Sequence, residues 1–558
     1  MEQSNSNAIY YNEETKRTDI RIPDEIIVNL LPDSKQELKE ICYSKVNELY
    51  GNELPEPVKS HLDKELEVIS KYYSASLYMI GHKLIKHSEN NGYHVIAQGP
   101  LGSSLAAFLS GISNVNPLAP HYRCPKCCYS EFITDGSVRS GFDLPLKNCP
   151  KCGADMIGDG QDIPLETLMG LDGDRGSYIG LNIAKEFQQE LIHYAEKLLD
   201  LENYNIDDSL MEIGLVSHDF LTLYKHLEDL TEIKISDVPT SDPLVYKLFT
   251  STEPLNPDQD TGMTCGTLGI PEFGTEYVMN ILAETQPKTF SDLIQIAGLF
   301  YGTGLWFGNA QDLIKSGICT ISDIIGTRDD IMLYLTHKGI DLNLAYRIME
   351  ITRKGKAERL FDDKIHQELR EYDIPEWYIE SCKNIKYLLP KAYAVEYATA
   401  AVKLAWFKIY RPVEFYAAVL TTLSAKIEPA LTKPKNRKAV IQEIIMFREH
   451  DGIYGLNMEE KNTLETLRIV LELMSRGIEI LPVDIMKSDA VAYTIEDGNI
   501  RLPLYAVSDC EINDALKIKE AVESGSCTNI DEIQQKSGVS KWVIDRLQSA
   551  GAFKKFLY

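Results

Sequence analysis

Apolar residues recur at helical spacing along most of the chain. Lys59-Ser-His-Leu-Asp-Lys-Glu-Leu-Glu-Val-Ile69 is one such run, and Tyr72 to Leu84 continues it, so three helices are expected between Lys35 and Glu89. Residues 1–34 are polar without a clear period and are expected to form an irregular segment. Asn90-Asn-Gly92 ends the helical run, Tyr93-His-Val-Ile-Ala97 reads as a short strand, and Leu105–Leu109 opens a helix after a Gly-Pro-Leu-Gly-Ser-Ser turn. Lys185–Leu201 predicts a helix and Asn203–Ser209 a linker. Residues 235–420 predict almost continuous helix, broken at Thr285-Gln-Pro-Lys, Tyr301-Gly-Thr-Gly and Asp373-Ile-Pro. Ser424–Lys438 is a connector bearing Lys426, Lys433, Lys435, Arg437 and Lys438. Two helices over 439–480, a small β element over 481–500 and helices at Asn513–Ser524, Ile530–Lys536 and Lys541–Ala550 complete the pattern. The fold class is α+β and mostly helical.

A chain of 558 residues is long enough for three or four domains. No run of eighteen apolar residues predicts a membrane span, and the N-terminus has neither a basic nor an apolar leader region, so a cytoplasmic location is expected. Acidic residues outnumber basic ones, 83 to 57, for a net charge of -26. Nucleic-acid binding over a broad surface needs a positive face. Any such face must here be local; equally, the acidity serves solubility.

Four of the eleven cysteines form two Cys-Pro-Lys-Cys knuckles, Cys124/Cys127 and Cys149/Cys152, and the other seven show no pairing pattern. Each knuckle offers two thiolates from one tight turn, and two knuckles close a tetrahedral site with no open position, which predicts structural zinc. Cys128 is out of register and reads as a spare thiol. The turn at Gly102, Ser103 and Ser104, between a strand and a helix, can present backbone N–H groups to a phosphate, or simply be a structural turn.

Longer runs carry a resemblance. His121-Tyr-Arg-Cys-Pro-Lys-Cys127, Cys149-Pro-Lys-Cys-Gly153, Asp162-Ile-Pro-Leu-Glu-Thr167, Gly266-Thr-Leu-Gly-Ile-Pro-Glu-Phe-Gly-Thr275, Gly308-Asn-Ala-Gln-Asp312, Arg353-Lys-Gly-Lys356 and Pro390-Lys-Ala-Tyr393 are similar to motifs of PolC-type DNA polymerase III alpha subunits, the C-family replicative polymerases of low-GC Gram-positive bacteria. The resemblance covers about residue 35 to the C-terminus. It implies a palm and thumb-like region over 35–234 with the zinc site at 121–153, helical fingers over 235–425, and a C-terminal region over 426–558 with a helix-hairpin-helix pair. The family's exonuclease, phosphatase-like and OB-fold regions are expected to have no counterpart in a chain this short. By the same resemblance Gly102, Ser103, Ser104, Arg328, Arg353, Lys354, Lys356, Lys391, Tyr393 and Lys403 are expected to meet nucleotide or DNA.

The departures fall on the chemistry. Polymerisation uses two magnesium ions held by acidic side chains. The family's Asp-Ile-Asp before Leu-Asn is here Tyr178-Ile179-Gly180 before Leu181-Asn182, and alignment on His218-Asp219 puts Gly214 at the third aspartate. None of these side chains replaces a carboxylate. Glu212, two residues from Gly214, would share its face on a strand. The family carries a long palm segment where only Asn182 to Met211 stands here, and an arginine where Gln98 stands. Its Gly-Leu-Gly hairpin turn becomes Asp509-Cys510-Glu511, whose carboxylates repel phosphate, and its clamp-docking tail is matched only by Phe553-Lys-Lys-Phe-Leu-Tyr558.

These departures predict a polymerase-like body without nucleotidyl transfer, with structural zinc, acting by binding primer–template DNA or replisome proteins. Three rival readings are an active template-directed polymerase with relocated ligands, a protein-interaction module that ignores DNA, and a decoy for nucleotide-like inhibitors.

Overall fold

A computed structural model describes residues 9–12, 17–22, 24–71, 74–173, 178–201, 211–258, 262–424, 437–525, 527 and 529–554. Asp174–Ser177, the linker Asn203–Ser209, Lys426, Lys433, Lys435 and the last four residues of the tail lie outside this set. The chain forms two compact units, residues 1–225 with 284–400, and residues 226–283 with 401–558. The long helical stretch expected as one fingers domain is thus divided between them. Helical periodicity reports which face of a helix is apolar, not which core receives it.

The first unit is built on a five-stranded sheet. Its strands are β1 (Ile9–Asn12), β2 (Arg17–Ile22), β3 (Val95–Gln98), β7 (Tyr178–Ile183) and β8 (Met211–Ser217), in the order β1-β2-β8-β7-β3. Only the β7–β8 pair is parallel. One face is apolar: Ile20, Ile22, Ile179, Leu181, Ile183, Ile213 and Leu215 are fully buried there, each contributing about 1.5–3 kcal/mol by leaving water. They share a core with α1 (Asp24–Tyr50), α2 (Glu56–Lys71) and α3 (Ala75–Asn90), the three helices expected from the periodicity.

The described residues among the first 34 are not irregular. They supply β1, β2 and the start of α1. Arg17-Thr-Asp-Ile-Arg-Ile22 alternates polar and apolar residues, and that alternation places Thr18, Ile20 and Ile22 in the core and Arg17, Asp19 and Arg21 on the other face.

A second small sheet, β5-β4-β6, is made of β4 (His121–Arg123), β5 (Ser130–Phe132) and β6 (Ile157–Asp159) and carries the cysteine knuckles. His121 is fully buried with its ring nitrogens on Tyr50 Oη at 2.9 Å and the Ala119 carbonyl at 2.7 Å, so it fastens this sheet to α1. Asp143 accepts from the amides of Phe290 and Ser291 and so ties the N-terminus of helix Phe290–Tyr301 to the same region. The helices that follow are capped locally: Thr289 with Asp292 and Thr327 with Asp330 form capping boxes, and Asp341 and Asp362 cap Leu342–Arg353 and Asp363–Glu371.

The second unit is mainly helical around Pro412–Leu423, Arg437–Tyr454 and Met458–Ser475. To these it adds the strands β9 (Ile480–Leu481), β10 (Thr494–Glu496) and β11 (Asn499–Arg501) and the helices Ile512–Glu523, Ile530–Ser537 and Lys541–Ser549. At its centre the fully buried Lys408 donates to the carbonyls of Gly266 and Leu268 and pairs with Glu472 at 2.6 Å.

Candidate functional site

The polar face of the five-stranded sheet brings the three non-acidic positions together. Gly180 on β7 is the cross-strand partner of Gly214 on β8, Tyr178 faces Glu212, and on the outer sides Gly180 pairs with Gln98 and Gly214 with Asp19. Tyr178, two residues before Gly180, projects to the same face, and its ring lies over both glycines. A Cβ on Gly180 would stand 2.9 Å from the Tyr178 hydroxyl, and one on Gly214 would overlap it outright. Arg17 closes the group from β2: its Nη1 donates to the Tyr178 hydroxyl at 3.3 Å, its guanidinium carbon lies 5.0 Å from the centre of that ring, and it pairs with Asp19 at 2.6 Å.

Electrostatically this is a closed arrangement. Burial pushes the Tyr178 phenol up to about 12, so the ring bears no negative charge at neutral pH. The buried Asp19 carboxylate is engaged by Arg17, and Glu212 pairs with Arg21 at 3.5 Å. A hard cation such as magnesium needs several oxygen ligands converging on one point. Tyr178, Gly180 and Gly214 supply no carboxylate, the two nearby acids each have an arginine, and a guanidinium already holds the centre of the face. The donor set does not fit the ion.

At the far end of β7 and β8 is an aromatic cluster. Tyr393 Oη accepts from Tyr397 Oη at 2.8 Å and lies 3.5 Å from Asn182 Nδ2, His218 Nε2 is 2.9 Å from Tyr397 Oη, and the Tyr301 ring packs on Tyr397 with centroids 4.8 Å apart. Burial pushes His218 down to about 4, so its imidazole is neutral.

Of the two uses its sequence allows, the turn after β3 is built as a structural turn. Ser103 and Ser104 are fully buried, and Gly102 is so close to helix Lys391–Tyr410 that a Cβ there would stand 2.8 Å from that of Ala392. The amides of Leu105 and Ala106, which open α4 (Leu105–Leu109), donate to the buried carboxylate of Glu65, and that of Ala107 donates to Ser104 Oγ. The helix start is thus capped from within the protein. Arg328 and Lys391 are also buried: Arg328 donates to the Thr167 carbonyl at 2.6 Å, and Lys391 Nζ lies 3.3 and 3.4 Å from the carbonyls of Arg139 and Asp162.

The exposed basic residues gather elsewhere, on the Arg353-Lys-Gly-Lys356 turn. Gly355 has φ +65°, and a Cβ there would lie 2.6 Å from the Lys386 carbonyl, so glycine lets the turn seat on the segment Ile385–Tyr387. Lys354, Lys356 and Lys386 are exposed. Tyr387, 46% exposed, joins that segment to Thr303 by backbone bonds, and Phe307, 69% exposed, precedes Gly308, whose carbonyl accepts from Asn384. Lys386 pairs with the exposed Glu358, a surface pair of little strength, while Lys354 shares the mostly buried Glu350 with Arg353. Lys403 is half-buried and belongs to the second unit.

The four knuckle cysteines meet as expected. Their sulfurs lie within 4.8 Å of one another, with Cys124 to Cys152 at 3.4 Å and Cys127 to Cys149 at 3.5 Å. That spacing suits a tetrahedral ion with Zn–S bonds of about 2.3 Å. Among the described residues this is the one cluster of three or more cysteine, histidine or acidic side chains able to hold a metal.

Comparison with known proteins fits this geometry. Residues 36–205 match the model described as the bacterial DNA polymerase III alpha NTPase domain, residues 219–371 the bacterial DNA polymerase III alpha subunit finger domain, and residues 477–558 a helix-hairpin-helix motif. The DNA polymerase III PolC-type of Oceanobacillus iheyensis is 35% identical over 626 residues, covering 96% of this chain. The chain belongs to the PolC-type DNA polymerase III family. The PolC-type proteins of Bacillus subtilis and Thermotoga petrophila are each 34% identical, over 96% and 94% of the chain. The chain spans 43–44% of the length of these relatives. The aligned stretch in the Oceanobacillus protein is longer than this whole chain, so that PolC carries inserted residues within it. Among the described residues no helix is long and apolar enough to cross a membrane.

The sequence pattern located the cysteines and singled out Tyr178, Gly180 and Gly214, which the sheet brings to one face. It missed Arg17 and Asp19, whose signal was the period-two alternation of β2, and Glu65, which carries no local signal because it reaches its turn from a helix.

Proposed function

We propose that this chain is a PolC-type protein that binds nucleic acid without transferring nucleotides. The observation that carries this reading is the Tyr178 ring lying over Gly180 and Gly214, with Arg17 against it, where the family resemblance calls for three aspartates. Nucleotidyl transfer depends on metal ions that clamp the attacking hydroxyl and the phosphates, and this face has neither the ligands for them nor the space. Binding is supported by Lys354, Lys356 and Lys386 beside the exposed Tyr387 and Phe307, a combination of cations and stacking rings suited to a single strand.

The test pairs two measurements on the full chain. Primer extension with deoxynucleotides and either magnesium or manganese is expected to give no product. A gel shift with primer–template DNA is expected to give a complex that chelator leaves intact and added salt weakens. Extension that disappears in Glu212→Ala would restore the reading of an active enzyme with relocated ligands. A second reading, a protein-binding module indifferent to DNA, draws on Asp509. It holds the hairpin turn at φ +65° and pairs with Arg546 at 2.8 Å, which places an acid where a phosphate would approach. Absence of any DNA complex at low salt would select it.

A further inference from the structure

The second unit carries an unassigned groove with a volume of about 260 Å3. On helix Arg437–Tyr454, residues Arg437, Ile441, Ile444, Ile445 and Arg448 recur every three or four positions, so they form one stripe. Arg468 and Leu471, three residues apart on Met458–Ser475, form the facing wall, and Met263 closes one side. Three guanidiniums and an apolar floor therefore share one opening, in a chain whose net charge is -26.

Arg468 is only partly satisfied. Its side chain is 11% exposed, its Nη1 lies 3.4 Å from the exposed Glu276, its Nη2 is 3.4 Å from the Met263 sulfur, and its buried Nε has no hydrogen-bond partner among the described residues. Burial pushes its guanidinium below the ordinary value; Arg448 adds to that push, while Glu276, Glu465 and Glu472 oppose it. Of these acids, Glu472 is already bound to Lys408. Ile445 is 48% exposed and its neighbour Met446 54% exposed, so the apolar floor is open to solvent.

We propose that this groove docks a peptide segment of a partner protein in which carboxylates alternate with apolar side chains. Arginine forks match carboxylates in bidentate geometry, and the floor of Ile444, Ile445, Leu471 and Met263 takes the apolar side chains between them. A nucleic-acid backbone would satisfy the guanidiniums but has no apolar counterpart for that floor. The site is independent of whether the fingers hold DNA, so either proposal can fail without the other.

The test uses the full chain labelled at isoleucine δ1 methyls. The probes are a short synthetic peptide of alternating glutamate and leucine, its lysine–leucine counterpart, and a short oligothymidylate. The glutamate–leucine peptide is expected to shift the Ile444 and Ile445 methyls saturably and to bind about tenfold more tightly than the lysine–leucine peptide, a difference of about 1.4 kcal/mol. Arg448→Gln and Ile445→Asp, both at exposed positions, are expected to weaken it at least fivefold without moving the thermal midpoint. No saturable shift, or a shift unaffected by both variants, overturns the proposal. Equal or tighter binding of oligothymidylate at the same methyls makes the groove a phosphate site instead. A dimer in sedimentation equilibrium that Ile445→Asp dissociates makes a second copy the occupant.

Discussion

Tyr178 lies where it does because residue 214 is glycine: the tyrosine hydroxyl falls inside the van der Waals shell of any Cβ at Gly214. The ring and the missing side chain are two halves of one packing solution. Gly214→Ala should therefore cost about 1–3 kcal/mol through overpacking, since the Arg17 side chain at 2.9 Å blocks the other way out. In a Tyr178→Ala background the same substitution should cost little. Urea unfolding of the four proteins measures the coupling, expected at about 1 kcal/mol or more; simple additivity would show that the ring does not rest on the glycine.

Charge reversal at Lys354, Lys356 or Lys386 should weaken DNA binding, and each lost phosphate contact should lower the slope of log affinity against log salt by about 0.7 for a single strand. Tyr387→Ala or Phe307→Ala should instead reduce affinity by about 1–3 kcal/mol with the slope unchanged, because stacking carries no counterion release. Titration of a labelled oligonucleotide at several salt concentrations separates the two effects. An unchanged slope in all three lysine variants would remove this turn from the interface.

The ribbon formed by the cysteine knuckles and β4–β6 holds its own core with very few groups: Tyr122, Cys124, Cys149 and Met156 are its buried residues. So small a cluster offsets little chain entropy without the ion. The purified protein should hold one zinc per chain, and Cys127→Ser should lose it and expose the ribbon to protease. Metal content by mass spectrometry, with proteolysis in parallel, checks both; a Cys127→Ser protein that keeps full zinc would require a different fourth ligand.

The ribbon was legible because its ligands are local: two knuckles at the right spacing state the chemistry before any folding is known. The helices between Lys35 and Glu89 followed from their period for the same reason, while the first turns of α1 before Lys35 did not. The face around Tyr178 was only half legible. Tyr178, Gly180 and Gly214 can be read as replaced positions, but that 180 and 214 stand opposite each other is a property of strand register. That Arg17 fills the gap depends on a hairpin joining the sheet from the chain's beginning. Glu65 shows the limit most plainly: Ser103 and Ser104 sit in a turn that sequence alone allows to hold phosphate, and a carboxylate on another helix takes the amides first.

That carboxylate makes stability depend on pH. Glu65 is fully buried, and burial raises its pKa from 4.5 to about 7 despite three donors that favour the ion. His61, 3.7 Å away, gives no cationic help because burial lowers it to about 4. Between these two Glu65 values the folded state keeps a proton that the unfolded state has released, so stability falls as pH rises from 4.5 to 7, by up to about 3 kcal/mol. Glu65→Gln abolishes the titration. The advantage of the wild type over this variant, from urea unfolding at a series of pH values, should shrink across that window. An advantage that grows with pH would mean that the three donors, not burial, set the carboxylate's state.

In the second unit, Lys408 and Glu472 face each other with exposures of 0% and 2%, and Lys408 also holds the carbonyls of Gly266 and Leu268. Removing one member of such a pair leaves the other charge buried and unpaired. Lys408→Met should therefore cost about 3–5 kcal/mol. The loss has two parts, an orphaned carboxylate and two carbonyls without a donor, and they can be separated. Lys408→Met with Glu472→Leu removes both charges but not the carbonyl cost, and Arg476 remains within 3.4 Å of the Tyr416 hydroxyl that Glu472 had engaged. The double variant should accordingly recover more than half of the single variant's loss in urea unfolding, yet stay below the wild type. A double variant no more stable than Lys408→Met would show that the lysine acts through the two carbonyls, as a strut for the Gly266–Leu268 turn, and that the ion pair contributes nothing of its own.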